Sequence, residues 1–122
     1  MEKIISYENL IVWQKSIDLV EEIYKLTHKF PKEEIYGLTS QMRRAAVSIS
    51  SNIAEGSRRG TRKDFRNFLY NAFASGAELE TQIKICKRLS FISDKDCIKT
   101  DSLLHEVMKM LNSMINKLGN DK

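Results

Sequence analysis

The stretch SISSNIAEGSRRG, from Ser48 to Gly60, decides how this chain folds. Ile49 and Ile53 are spaced for one face of a helix. Around them stand serines, an asparagine, a glutamate and a glycine, which a helix interior does not favour. Working outward, Met42, Ala45, Ala46, Ile49, Ile53 and Gly56 fall on one stripe. They predict a core-facing helix from about Thr39 to Gly60, and its small residues permit a close-packed neighbour. Beside that stripe, Arg44, Ser48 and Asn52 stand four residues apart, and Ser51, Glu55 and Arg59 make a parallel line. Glu55 is within helical reach of Ser51, Asn52 and Arg59, so local hydrogen bonds and an ion pair are open to it. Buried polar groups need partners. The strip therefore either fixes register or subunit geometry, or offers a contact line to a polar partner, with Arg43 and Arg44 supplying charge.

The same periodicity places three more helices around this one. The first runs from about Asn9 to Phe30 and stops at Pro31. It carries two apolar stripes, one of Leu10, Trp13, Ile17, Val20 and Tyr24 and a second of Val12, Leu19, Ile23, Leu26 and Phe30. Together they span an arc of about 200°, wider than the ~100° that a surface helix needs. The extra side must meet another subunit or a partner, or lie deep in its own bundle. The second stripe, Val12, Leu19, Ile23, Leu26 and Phe30, is the candidate oligomer interface. Thr61, with Asp64 three residues on, reads as a cap for a third helix reaching about Ser90. Its inward residues are Phe65, Phe68, Leu69, Ala72, Gly76, Leu79, Ile83 and Cys86. Ser93 or Asp94 caps the fourth, from about Lys95 to Leu118, and Gly119 ends it. The fold class expected is all-α, an up-down-up-down antiparallel four-helix bundle, formed as one domain over residues 1–122.

Bulk properties agree. With 42% hydrophobic and 30% charged residues, the chain has the balance of an ordinary globule, and five glycines with one proline leave little scope for a turn-rich β fold. No apolar run approaches the ~20 residues of a bilayer span, and MEKIISYENL lacks the layout of a secretory signal. A cytoplasmic protein without membrane association is expected. Cys86 and Cys97 form no CxxC motif and read as two reduced core thiols. The formal charge of +4 is concentrated centrally: Arg58, Arg59, Arg62, Lys63 and Arg66 are opposed only by Asp64. Such a knot can attract phosphates, or it can be a solvated helix junction.

Catalytic patterns are missing. A di-iron bundle needs two Glu-x-x-His pairs, and no glutamate here precedes a histidine by three. No arginine has a histidine five residues on, as helical ribonucleases of the HEPN type do. Glu78 and Glu80, two apart on a helix, point about 200° away from each other and cannot share a site. GSRRGTRK lacks the spacing of a phosphate-binding loop. No enzyme, metal or cofactor is expected.

The run VWQKSIDLVEEIYKLTHKFPKEEIYGLTSQMRRAAVSISSNIAEGSRR, followed by SGAELETQI, resembles the four-helix-bundle proteins encoded within 23S rRNA intervening sequences, also called the S23 ribosomal protein family. The likeness is dense over about residues 10–92 and reaches the last helix only in pattern. It implies a bundle that assembles as a ring-like homopentamer, and a relation to the accessory protein of diversity-generating retroelements, which binds nucleic acid and a reverse transcriptase. Motif positions carried over are Tyr36, Gly37, Leu38, Gln41, Arg43, Arg44, Ser48, Asn52, Glu55, Gly56, Glu78, Glu80 and Gln82. Of these, Ser48, Asn52, Glu55, Gly56, Glu78, Glu80 and Gln82 form the candidate polar seam. The family commonly has proline where this chain has Ser50, so a straighter second helix is implied. The expected function is non-enzymatic binding of structured RNA or an RNA–DNA intermediate by a homo-oligomer, through Arg43, Arg44, Arg58, Arg59, Arg62, Lys63 and Arg66. The alternative is a protein–protein adaptor, for example for a reverse transcriptase. With few aromatics near the arginines, phosphate contacts with little base stacking are expected.

Overall fold

The computed structural model describes residues 6–120. Four helices, α1 (Ile11–Thr27), α2 (Leu38–Ser57), α3 (Arg62–Arg88) and α4 (Ile98–Asn120), account for most of the chain. Short 3-10 turns at Tyr7–Asn9, Lys32–Glu34 and Lys95–Cys97 prepare three of their starts. The boundaries have identifiable chemical causes. Phe30 precedes Pro31, and the residue before proline is pushed out of helical geometry. Gly37 has no side chain to cap α2, and Glu34 fills that role: its Oε1 accepts from the Leu38 N–H at 3.1 Å. Thr61 caps α3, its Oγ1 accepting from the Asp64 N–H at 3.1 Å. Ahead of α4 the Ser93 hydroxyl accepts from the Asp96 N–H at 3.2 Å, while Asp96 Oδ2 accepts from the Ser93 N–H at 3.0 Å. That reciprocal pair is a capping box.

The α3 terminus turns through Ser90, whose φ of 64° is left-handed. The Phe91 N–H donates to the Cys86 carbonyl at 3.0 Å and the Ser90 N–H to Lys87 at 3.1 Å. These two bonds make a Schellman ending in which serine occupies the usual glycine position. Gly119, expected to end the last helix, instead lies within the final turn of α4.

Consecutive helices pack on one another, and α1 closes against α4. Pairings along each interface fix the direction. Ser16 meets Ser50 and Thr27 meets Arg43, while Lys15 pairs with Glu106 and Glu22 with Lys99. In each case one number rises as its partner falls, so neighbours run antiparallel, as the bundle reading expects. All four helices feed one hydrophobic cluster, with Leu19, Ile23, Met42, Ile49, Ile53, Leu69, Leu79, Ile83 and Leu111 fully enclosed. Cys86 and Cys97 are free and buried within it, and burial pushes the Cys86 thiol up to about 11.

One expectation needs correction here. Val12, Leu19, Ile23, Leu26 and Phe30, the candidate oligomer interface, are all core residues of this chain, Phe30 being the most exposed at 7%. Their stripe faces the bundle core, so none is available to another subunit. The stripe left near the surface is the other one, with Trp13, Ile17 and Val20 half-buried and Tyr24 exposed. The expectation at Ser50 agrees with the structure. α2 runs unbroken through it, and its buried hydroxyl shares a 2.9 Å hydrogen bond with Ser16, which also donates to the Trp13 carbonyl at 2.6 Å. The position marked only as a missing proline is therefore a polar tie between α1 and α2.

Candidate interaction surfaces

Three surfaces converge on α2. The first is its junction with α3. Gly56 lets the helices meet there, for a Cβ at Gly56 would come within 2.5 Å of Phe68 Cβ and 3.1 Å of the Phe65 ring. Ser48 and Ser75 share a hydrogen bond of 2.9 Å, and the Asn52 amide donates to the Ser48 carbonyl at 2.8 Å and its hydroxyl at 3.1 Å. Gln41, Arg44, Ser48, Ser75 and Glu78 border a shallow hollow of about 360 Å³ along this junction. Gln82, which is buried, donates to Glu78 at 3.4 Å, and its Oε1 has no partner among the described residues. The polar seam is thus real at Ser48, Asn52, Glu78 and Gln82. It does not include Glu80, which lines the opposite flank of α3 with Lys84, Lys87 and His105. Glu55 lies exposed on the outer ridge, with no ion pair to Arg59 among the described residues. Gly56 serves close packing.

The second surface is the corner between α2 and α3. The seven predicted phosphate-binding cations divide here. Arg58, Arg59, Arg62 and Lys63 are exposed around the turn, and Arg44 is exposed on the outer ridge of α2. Arg66 is committed elsewhere. Its Nε donates to the Ile115 carbonyl at 3.0 Å and its Nη2 to the Tyr70 hydroxyl at 3.3 Å, tying α3 to the last turns of α4. A Cβ at Gly119 would come within 2.5 Å of that guanidinium, so the glycine keeps the seat open. Arg43 is similarly engaged. Its Nε donates to Thr27 Oγ1 at 2.9 Å and its guanidinium lies 4.4 Å from the Tyr24 ring centre. Sequence reasoning also missed the rings beneath the arginines. Arg58 lies 5.5 Å from Tyr7, Arg59 5.0 Å from Phe68 and Arg66 5.1 Å from Tyr70. Cation–π contacts of this kind orient a guanidinium without neutralising it. Only the four-residue spacing of Arg66 and Tyr70 was visible in advance.

The third surface, the groove between α1 and α2, was not anticipated as a site. Near the α1–α2 turn it opens to a hollow of about 530 Å³ walled by Tyr24, Ile35, Thr39, Arg43, Arg44 and Val47. Toward the other end it continues as a more apolar hollow of about 290 Å³ bordered by Tyr7, Trp13, Ile17, Val20 and Ala54, with Val47 common to both. The signal for it was the width of the apolar arc of α1, and the error was in choosing the stripe. Elsewhere, charge serves the frame. Lys87 holds Asp101 at 2.9 Å and Asp94 at 3.1 Å, which raises its own pKa, the Asp101 bond contributing most. Glu22 is lowered despite a burial penalty, because Lys99 and Lys25 hold it as a carboxylate. Among the described residues no cluster of three or more His, Cys, Asp or Glu could hold a metal ion, and no helix is long and apolar enough to cross a membrane.

Comparisons bear on all three surfaces. The chain is similar to a crystal structure of a protein of unknown function from the S23 ribosomal protein family of Bacteroides thetaiotaomicron. The TM-score is 0.77 at 26% identity, over 86% of this chain and 98% of that one. No protein of curated function matches the chain. The family model for the 23S rRNA-intervening sequence protein matches residues 8–113, which span both the seam and the basic corner, and the chain belongs to that family.

Proposed function

We infer that this protein is a non-enzymatic, self-associating nucleic-acid-binding protein that takes structured RNA, or an RNA–DNA duplex, at the α2–α3 corner. The observation that carries this reading is the exposed set Arg58, Arg59, Arg62 and Lys63 on one tight turn, with aromatic rings under the first two. Cations gathered on one turn meet phosphates together, and several copies in one oligomer multiply the counterions released. The contacts are to the backbone and carry little sequence information. Arg43 and Arg66 contribute less, because each spends its Nε–H, and Arg66 an Nη2–H as well, on partners inside the fold.

The test is titration of a fluorescent structured RNA across a salt series with the native chain and with Arg59→Ala/Arg62→Ala/Lys63→Ala. Binding by the native chain should weaken steeply with salt, and the triple variant should lose roughly two to three units of that slope. No binding at low salt by a folded native chain would refute the reading and direct attention to an adaptor role.

A further inference from the structure

The α1–α2 groove and the turn beside it carry side chains that can pair with each other. Tyr36 is 94% exposed, the most of any large hydrophobic residue described, and Ile35 before it is 54% exposed. This turn is stiff. The Glu34 N–H donates to the Pro31 carbonyl at 2.9 Å, Ile35 to Lys32 at 3.1 Å and Gly37 to Glu34 at 2.9 Å, with the Glu34 side chain bound to Leu38. A rigid aromatic standing in water gains by burial while losing little conformational freedom. Charge follows the same division. The turn presents Glu33, exposed and without an ion-pair partner among the described residues, and the hollow presents the exposed Arg44.

We propose that the α1–α2 groove is the seat of a second copy of this chain, whose Tyr36 enters the hollow walled by Tyr24, Val47 and Arg44 and whose Glu33 meets Arg44. The match is between two patches that one chain carries together, a turn presenting Tyr36 and Glu33 beside Lys32, and an apolar-walled hollow presenting Arg44. That favours a copy of the chain over an unrelated partner. The contact uses neither Arg59 nor Lys63, so an assembled oligomer keeps its basic corners free. This rests on the self-association reading and names its surface.

Light scattering across a micromolar concentration series tests it. The native chain should associate. Tyr36→Ala should raise the dissociation midpoint at least tenfold. Glu33→Lys and Arg44→Glu should each weaken association, and the two combined should restore it. A chain with both Tyr36→Cys and Val47→Cys should cross-link between copies on oxidation. The two positions lie roughly 15 Å apart along one helix and its lead-in, too far to bridge within a chain, and each single-cysteine variant serves as its control. A native chain that stays monomeric overturns both the self-association reading and this proposal. A native oligomer indifferent to Tyr36→Ala, to the charge swap and to cross-linking overturns the proposal alone.

Discussion

The two apolar stripes of α1 are alike in composition and opposite in fate. Val12, Leu19, Ile23 and Leu26 are sealed in the core, while Trp13, Ile17, Val20 and Tyr24 line a groove that stays open. Helical periodicity measures the width of an apolar arc. Which half faces inward depends on where the neighbouring helices stand, and α1 packs chiefly on α2 and α4. An unusually wide arc therefore signals a surface left over after the bundle closes, and the leftover half is the one to test for partners.

Substitutions can break or sharpen that comparison. Leu19→Ala should cost about 2–5 kcal/mol in urea denaturation, the range for a fully enclosed leucine. Val20→Ala, one position along on the groove stripe, should cost well under half as much, and equal losses would erase the distinction. Gly56→Ala should cost about 1–3 kcal/mol, because Phe68 Cβ stands where the new methyl must go. Gly76→Ala should cost less, since its obstacle is the flexible Met108 side chain. Ser50→Ala should cost about 1 kcal/mol, and a cycle with Ser16→Ala should show coupling, for the pair bonds at the boundary between the stripes.

On the α4 side of α1, Glu22 has a folded pKa below its unfolded value. Its contribution is present above the unfolded value and is lost as pH falls through the folded one. Glu22→Gln should therefore flatten the acid limb of a stability–pH profile and cost up to about 1 kcal/mol at neutral pH. The smallest effect should be Val47→Ser, within about 0.5 kcal/mol of the native Tm-derived stability, although it alters the groove.

Much of the fold was legible. Stripes placed four helices, and Thr61 and Ser93 marked true caps, because these signals are local, while α1 ends at Thr27, three residues before the expected Phe30. The departures arose where a residue outside the helix intervenes. Glu34 starts α2 one residue before Thr39, and α4 continues past Gly119, where the guanidinium of Arg66 caps its last turns from α3. The candidate site was legible as composition and not as geometry. Seven cations could be counted, but the engagement of Arg43 and Arg66 depends on Thr27 and Ile115, 16 and 49 residues away. Glu80 was placed in the seam by motif alone, although its angle from Glu78 had already separated the two.

The order of packing also has a kinetic consequence. α1 meets α2, α2 meets α3, and α3 meets α4, each across a short connection. The seam between α1 and α4, held by Lys15–Glu106 and Glu22–Lys99, joins the most distant parts of the chain. Topologies so rich in local contacts search little conformational space and fold on the microsecond-to-millisecond scale. While the chain is being made, its first three helices can therefore pair before the fourth is complete, and the closing of α4 on α1 spans the longest stretch of chain.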